Sequence, residues 1–191
     1  MYMDKQLSLS SLSDESAAHR QYIRPRAADA RGMYVLDAPN RGCIGTTIYV
    51  KIKQKLKEKR YDMKITWYGH SCFKVETDLG SVVFDPYEDA RVPGYAPLPR
   101  NLSADTVLCS HQHRDHNAVE RVALSGNIPA FGVETLPTYH DEVKGEKRGA
   151  NTIHIISAED MRLAHMGDIG CELTEEQLLA LRGLDVLLIP V

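Results

Sequence analysis

Residues 106–117, TVLCSHQHRDHN, place three histidines and one carboxylate within six residues, directly after a short apolar run. Neutral imidazole is a good zinc ligand, and a hard carboxylate suits zinc, iron or manganese. The combination favours a mixed nitrogen and oxygen site that need not be purely structural. The candidate ligands are His111, His113, Asp115 and His116.

The spacing of these residues predicts two adjacent metal positions. Side chains alternate along an extended segment, so His111 and His113 lie on the same side of the chain. A tight turn into a helix then brings Asp115 and His116 towards a second position. The alternative is an accidental cluster in a histidine-rich surface turn, but the strand that precedes the motif favours the metal site.

The residues before this motif predict the strands that position it. From Met63 onward, two strand-like segments flank a short turn at 69–71, which is typical of a hairpin, and a further strand ends at Asp85. His70 and Asp85 therefore lie at strand ends on the expected site side. His70 either contacts the substrate or a ligand, or is a turn histidine bonded to the backbone. Asp85 either caps a turn or orients a metal-bound histidine.

The rest of the chain alternates strand-like and loop-like segments and contains a clear helix start. Thr174 is the predicted N-cap, the acids that follow it favour the helix dipole, and Leu178, Leu179 and Leu181 supply an apolar face. The other predicted elements are a lid or binding loop at 88–104, a short helix at 118–126, a strand at 129–132, strands at 152–156 and 161–164 joined by a turn, and a buried strand at 184–191.

Together these segments resemble the metallo-β-lactamase fold. Its signature is similar to the H-x-H-x-D-H motif, and MKITWYGHSCFKVET at 63–77 with VVFDPY at 82–87 resembles the opening of the branch that contains the ascorbate-6-phosphate lactonases. YHDEVKGEKRGAN at 139–151, LAHMGDIG at 163–170 and LDVLLIPV at 184–191 resemble the regions that follow. The resemblance implies an α/β (α+β) fold, an αββα sandwich, over residues 63–191.

The resemblance also implies a ligand set and a cofactor. Asp168 is expected to bridge two metals, because a carboxylate has two oxygens; its alternative role is to cap the helix that follows. The cofactor is expected to be one or two Zn²⁺ ions, with Mn²⁺ or Fe²⁺ as alternatives, and Asp115 and Asp168 are the expected catalytic carboxylates. His111, His113 and His140 would hold one metal, Asp115 and His116 the other, and Asp168 both.

Two further residues have weaker assignments. Arg148 is expected either to hold an anionic group near the opening of the site or to be a solvated loop arginine. His165 is expected to pack or to donate to a neighbour of a ligand rather than to bind a metal itself.

In the resembled family, the last strand continues into a glycine-rich loop and a further metal-binding histidine, which this sequence lacks. We therefore expect the C-terminal half of the sandwich to be incomplete and the second metal to bind more weakly than the first. An exposed strand edge would also promote self-association into a homo-oligomer.

Composition excludes several functional classes. The chain has 191 residues, of which 43% are hydrophobic and 26% charged, enough for one globular domain with a core. Residues 63–191 are acidic, which argues against a nucleic-acid partner, and no apolar run approaches the about 18 residues of a membrane span. Without a secretion signal, and with four scattered cysteines, we expect a cytoplasmic protein that acts on a small molecule.

Residues 1–62 differ from the rest and are expected to have little structure of their own. They are polar, broken by Pro and Gly, and basic, with 12 Lys and Arg residues against 7 Asp and Glu residues. One hypothesis is that they are upstream sequence and that the native protein begins at Met63, since 58–60 can be encoded by a purine-only ribosome-binding sequence. The alternatives for the basic run at 51–60 are a solvated helix face or disordered arm and a patch for an anionic partner.

The expected function is a metal-dependent hydrolase that attacks an ester or lactone, with a phosphorylated sugar acid as one substrate class. A phosphodiesterase would use the same pair of metals. A hypothesis from another class is a non-catalytic remnant that binds metal or a partner protein. The sequence alone leaves all three open.

Overall fold

A computed structural model describes residues 34–36, 46–50 and 63–189 of the chain. These residues form two five-stranded sheets and a two-stranded one. The first sheet has the order β2 (Thr46–Val50), β3 (Met63–Gly69), β4 (Cys72–Thr77), β5 (Gly80–Phe84) and β7 (Thr106–Leu108). The second has the order β1 (Tyr34–Leu36), β12 (Val186–Leu188), β11 (Met161–His165), β10 (Ala150–Ala158) and β9 (Gly132–Tyr139), and the small sheet pairs β6 (Ser103–Ala104) with β8 (Ala123–Leu124).

The predicted hairpin is confirmed. Strands β3 and β4 pair in antiparallel fashion, with Ile65 opposite Val75, and the register shifts between Trp67 and Gly69. Strand β5 pairs with β4 on one side and runs parallel to β7 on the other. Val82, Val83 and Phe84 are completely buried, as expected for the parallel part of a sheet that is covered on both faces.

The main core lies between the two large sheets. Apolar side chains from β3, β4 and β5 meet those from β10, β11 and β12 in one cluster, so the two sheets form a sandwich. The central members are Trp67, Phe84, Ile156, Leu163 and Leu188, all buried. This packing holds the ends of the two sheets next to one another.

The outer faces are covered by less regular structure than an αββα architecture suggests. Loop residues around Tyr87, Leu98 and Leu102 cover the first sheet. Ile153 and Ile155 on the second sheet pack with Leu181 and Leu184, at and beyond the end of the helix α1 (Glu175–Ala180). In the part of the chain that the structure describes, α1 is the one α-helix, and no helix there has the length and apolarity needed to span a bilayer.

Three local predictions need correction. The helix predicted at 118–126 is only a 3₁₀ turn, Val119–Arg121, because the chain then pairs with β6 as β8. The strand predicted at 129–132 begins at Gly132 instead. Thr174 does cap α1 in a capping box, but Leu178 and Leu179 are exposed, so the predicted apolar helix face is wrong; among those leucines, Leu181 makes the core contact.

Two strands in residues 1–62 were not predicted. Strand β1 runs parallel to β12, and β2 pairs with β3, so each extends a sheet of the sandwich. The polar and basic composition of this segment gave no period that would mark them. The remaining residues of 1–62, including the basic run 51–60, lie outside the described residues, and the start-site hypothesis stays a prediction.

We expect Ile156→Ala to lower the free energy of unfolding by about 2–5 kcal/mol and Ile156→Val by about 0.5–1.5 kcal/mol, because Ile156 is completely buried between the sheets. Denaturant unfolding followed by circular dichroism measures both. Ile128→Ala is the matched control, since that side chain is 94% exposed. Equal unfolding midpoints for the Ile156→Ala and Ile128→Ala variants would contradict a single core between the sheets.

Candidate metal centre

The candidate site lies where strands from both sheets end. Asp85 follows β5, and the motif residues 109–116 follow the parallel neighbour β7. His140 follows β9, and Asp168 lies three residues after β11. Two hydrogen bonds join the sheets at this end. The Thr152 N–H donates to the Ser110 carbonyl at 2.8 Å, and the His154 imidazole donates to the Cys109 carbonyl at 2.9 Å.

The first group of candidate ligands is the imidazole triad, His111, His113 and His140. One ligand atom from each of them lies within 4.8 Å of the other two. The ring centroids of His111 lie 4.6 Å from His113 and 4.9 Å from His140. His111 is buried, His140 is half-buried and His113 is exposed, so the triad opens towards solvent on one side.

The second group contains His116, Asp115 and a residue that lies 46 positions earlier in the sequence than His116, namely His70. The Nε2 atoms of His70 and His116 are 2.9 Å apart. Asp115 Oδ2 lies 3.5 Å from His70 Nε2 and 3.8 Å from His116 Nε2. We call these three residues the hairpin-turn group, because His70 lies in the turn between β3 and β4.

Asp168 lies between the two groups. Its Oδ2 atom is 3.2 Å from His116 Nε2 and 3.3 Å from His140 Nε2. Burial opposes the charged form of this carboxyl, but its hydrogen bond to His116 and the nearby imidazoles outweigh burial and hold the pKa of Asp168 well below its usual range. The side chain is therefore an anion placed between the two groups.

Asp85 fixes the ring orientation of two of these histidines. Its carboxylate, which is completely buried, accepts hydrogen bonds from Ser110 N and Ser110 Oγ, both at 2.6 Å, and from His116 Nδ1 at 2.8 Å. Because the Ser110 hydroxyl donates to Asp85, it accepts from His111 Nδ1 at 2.9 Å. Both histidines thus carry a proton on Nδ1 and direct Nε2 into the site.

The environment separates the pKa values of these two imidazoles. Burial, together with the nearby charge of His116, lowers the pKa of His111 to about 4, so His111 is neutral at pH 7. Burial also disfavours the charged form of His116, but its hydrogen bonds to Asp168 and Asp85 raise its pKa to about 9. In the metal-free chain, a proton on His116 therefore balances part of the carboxylate charge.

The residues present fit a divalent metal ion. Among the described residues, His111 Nε2 is a buried nitrogen with no hydrogen-bond partner, which normally costs free energy. A neutral imidazole with a proton on Nδ1 has a lone pair on Nε2, and that lone pair is the donor that zinc, manganese or iron accepts. The orphaned atom lies within the imidazole triad, next to the anion Asp168.

Several residues that support the site were missed by the sequence analysis. The side chain of Asn151 donates to the Met166 carbonyl at 3.0 Å and accepts from Asp168 N at 3.0 Å, so it positions Asp168. Asp141 accepts four backbone N–H bonds and orders the loop after His140. Gly167 has a φ of 58° and lies so close to Ser110 that a Cβ would be 2.4 Å from that side chain. Asn151 is the second residue of β10, and no spacing rule marks it.

His165 and Arg148 complete the set of predicted residues. His165 is buried, stacks on Phe84 at 4.9 Å, bonds the Ser71 carbonyl through Nε2 and accepts from Gly167 N through Nδ1. It is therefore a neutral packing residue, although its Nδ1 lies 4.0 Å from Asp85 Oδ2. Arg148 is exposed in the loop after His140, and its proposed anion-holding role stays a prediction.

Comparisons with known proteins match most of this region. Residues 64–191 match the family model described as the beta-lactamase superfamily domain. A metal-dependent hydrolase of Methanopyrus kandleri is 26% identical over 166 residues, covering 68% of this chain and 72% of that protein. A metal-dependent hydrolase of Archaeoglobus fulgidus is 28% identical over 168 residues, covering 68% and 71%. A solved structure from Parabacteroides distasonis, 20% identical, aligns over 76% of each chain with a TM-score of 0.54, which shows a shared fold.

We expect Asp85→Asn to weaken divalent-metal binding by about 10- to 100-fold, because His116 loses the anion that orients it and Ser110 N–H meets an amide in place of a carboxylate. Isothermal titration with Zn²⁺ measures the affinity, and circular dichroism checks that the variant is folded. Asp105→Asn is the matched control, since Asp105 precedes β7 and bonds Ser81 instead. Equal affinities in the two variants would contradict the role of Asp85.

Proposed function

The chain belongs to the beta-lactamase superfamily, and from that premise we propose that this metal-dependent hydrolase cleaves an ester or lactone with two divalent cations, zinc first among the candidates. The family and the hydrolase class agree with the expectation from the sequence. The ligand set, the metal and the substrate class are the parts that we propose.

The proposal rests above all on the orphaned His111 Nε2 atom, directed into the imidazole triad beside Asp168. Two ligand groups that share a bridging carboxylate are the arrangement that a pair of catalytic cations requires. When bound, such a pair lowers the pKa of water towards neutrality and polarises the bond that is hydrolysed. The chain supplies the donors, their protonation states and the shape of the opening.

The residues of the chain would divide the work as follows. The imidazole triad would hold one cation, while Asp115 and His116 would hold the other. Asp168 would neutralise charge on both through its two oxygens. Asp85 keeps the protons of His111 and His116 on Nδ1, so that neither imidazole turns away from the site.

The loop after His140 contains basic residues that favour an anionic substrate. It carries Lys144, Lys147 and Arg148, and Asp141 holds its backbone in one conformation. Lys147 is paired with Glu142, whereas Arg148 is exposed. A guanidinium in this loop, which directly follows His140, would suit the phosphate or carboxylate of a phosphorylated sugar acid, and we propose a lactone or ester of this class as the substrate.

We expect protein purified without chelator to contain a divalent metal and to hydrolyse a sugar-acid lactone, and we expect His113→Ala to lose most of its metal. The substitution removes one of three strong nitrogen donors. Elemental analysis by mass spectrometry measures the metal, and a panel of lactones, esters and phosphodiesters measures the activity.

Gln112→Ala is the matched control, because it changes the exposed neighbour of His113. Unchanged metal content in the His113→Ala variant would refute the assignment of the triad. Turnover of phosphodiesters alone would replace the lactone or ester as the substrate class, and metal binding without turnover of any substrate would favour a non-catalytic metal-binding domain.

We expect Asp168→Asn to lower turnover by about 100-fold or more, while the affinity for the first metal falls by much less. An amide cannot supply the anion that two cations share, but the imidazole triad remains intact. Steady-state kinetics and metal titration of one preparation give both quantities. Asp160→Asn, in the exposed turn between β10 and β11, is the control. Proportionate losses in both quantities would make Asp168 a structural residue.

A further inference from the structure

His70 reaches the candidate metal centre from a different part of the fold than the motif residues. It lies in the turn between β3 and β4, 46 residues before His116. Its Nε2 atom is nevertheless 2.9 Å from His116 Nε2 and 3.5 Å from Asp115 Oδ2. A histidine that merely closed a hairpin would have no reason to approach two candidate ligands.

The three donor atoms of the hairpin-turn group are spaced as metal ligands are. Their separations of 2.9, 3.5 and 3.8 Å form a nearly regular triangle. A point equidistant from all three atoms lies about 2 Å from each, which is the length of a zinc–nitrogen or zinc–oxygen bond. Asp168 Oδ2, 3.2 Å from His116 Nε2, is a further oxygen donor beside this group.

The turn that carries His70 has a left-handed backbone, which is uncommon for residues other than glycine. His70 has a φ of 49°, in the left-handed region, and Gly69 before it has a φ of 114°. A Cβ on Gly69 would lie 2.6 Å from the Tyr95 ring. Strained backbone of this kind persists where the surroundings enforce it, and it is found most often at functional sites.

The surroundings enforce this turn from both sheets. The Trp67 indole N–H donates to the His70 carbonyl at 2.8 Å. From the opposite sheet, His165 Nε2 donates to the Ser71 carbonyl at 3.0 Å, and Ser71 Oγ lies 3.4 Å from Asp168 Oδ1. The imidazole of His70 is thus aimed at the site by contacts that do not involve its own ring.

A simple hydrogen bond between His70 and His116 is the alternative explanation, and Asp115 argues against it. Asp85 accepts the Nδ1 proton of His116, so His116 has only an Nε2 proton left to donate. That one proton could form a hydrogen bond to His70 or to Asp168, but it would not account for the position of Asp115. A metal ion that displaces the Nε2 proton of His116 would instead be faced by all three donor atoms at once.

We propose that His70 is the third protein ligand of the second metal, together with Asp115 and His116. This inference rests on the proposed function, since it requires the two-cation site described above. The ligands of the second metal would then come from both the hairpin turn and the H-x-H-x-D-H motif. Each metal would then have three ligands of its own, and the two metals would share Asp168.

The test is metal stoichiometry in variants that keep the turn. Asn tolerates left-handed backbone, so His70→Asn removes the imidazole without adding backbone strain, and His70→Asp does the same while supplying a carboxylate ligand. Ala90→Asn is the matched control, because Ala90 is exposed and has a φ of 66°. Titration with Co²⁺, followed by its visible absorption, counts the ions and reports their ligands.

We expect two Co²⁺ ions per chain in the unaltered protein and in Ala90→Asn. In His70→Asn the second ion should bind at least about 100-fold more weakly, while the first keeps its affinity and spectrum. In His70→Asp the second ion should return with an altered spectrum, which a loss of folding could not produce.

Two results would overturn the inference, and they are distinguishable. If the unaltered protein binds two ions and His70→Asn binds both with equal affinity, His70 is no ligand, although the proposed function stands. If the unaltered protein binds fewer than two ions, the two-cation site itself fails. Circular dichroism of each variant separates a lost ligand from a lost fold.

Discussion

The buried carboxylate of Asp85 is the interaction on which the rest of the site depends. Removing a charge from water is costly, and Asp85 is tolerated because every contact it makes is a donor: the amide and hydroxyl of Ser110 and the Nδ1 of His116. Burial raises the pKa of Asp85, but its hydrogen bonds to His116 and Ser110 and the nearby imidazoles outweigh burial, so the pKa is lowered. From this one anion, the orientation of both His111 and His116 follows, because each must direct its other nitrogen into the site.

The second constraint is that neither sheet contains the site alone. The imidazole triad takes two residues from the loop after β7 and one from the end of β9. Asp168 comes from the loop after β11, where Gly167 allows the backbone to approach Ser110. The core between the sheets therefore does more than stabilise the fold, since it fixes the distances among candidate ligands that are far apart in sequence.

The sequence predicted best those features that are local. The hairpin of β3 and β4, the end of β5 just before Asp85 and the capping box at Thr174 follow from alternation, turn residues and capping chemistry, and all are present. Strands β1 and β2 were missed, because a short strand at a sheet edge needs no amphipathic pattern of its own. The helix expected after the motif became a 3₁₀ turn, since pairing of β8 with β6 outweighed local propensity.

Within the site, sequence identified the residue types but could not bring them together. The contact between His70 and His116 depends on a left-handed turn. This turn itself depends on hydrogen bonds from Trp67 and His165, which lie in different sheets. The roles of Asn151 and Asp141 likewise consist of bonds to backbone groups, which leave no spacing in the sequence.

The most direct measurement of the central claim is anomalous X-ray diffraction from crystals grown with Zn²⁺ and recorded at the zinc edge. The account predicts two peaks per chain, one among His111, His113 and His140 and the other among His70, Asp115 and His116, with Asp168 between them. A single peak within the imidazole triad would contradict the two-cation site. The absence of any peak at these residues would contradict the metal centre itself.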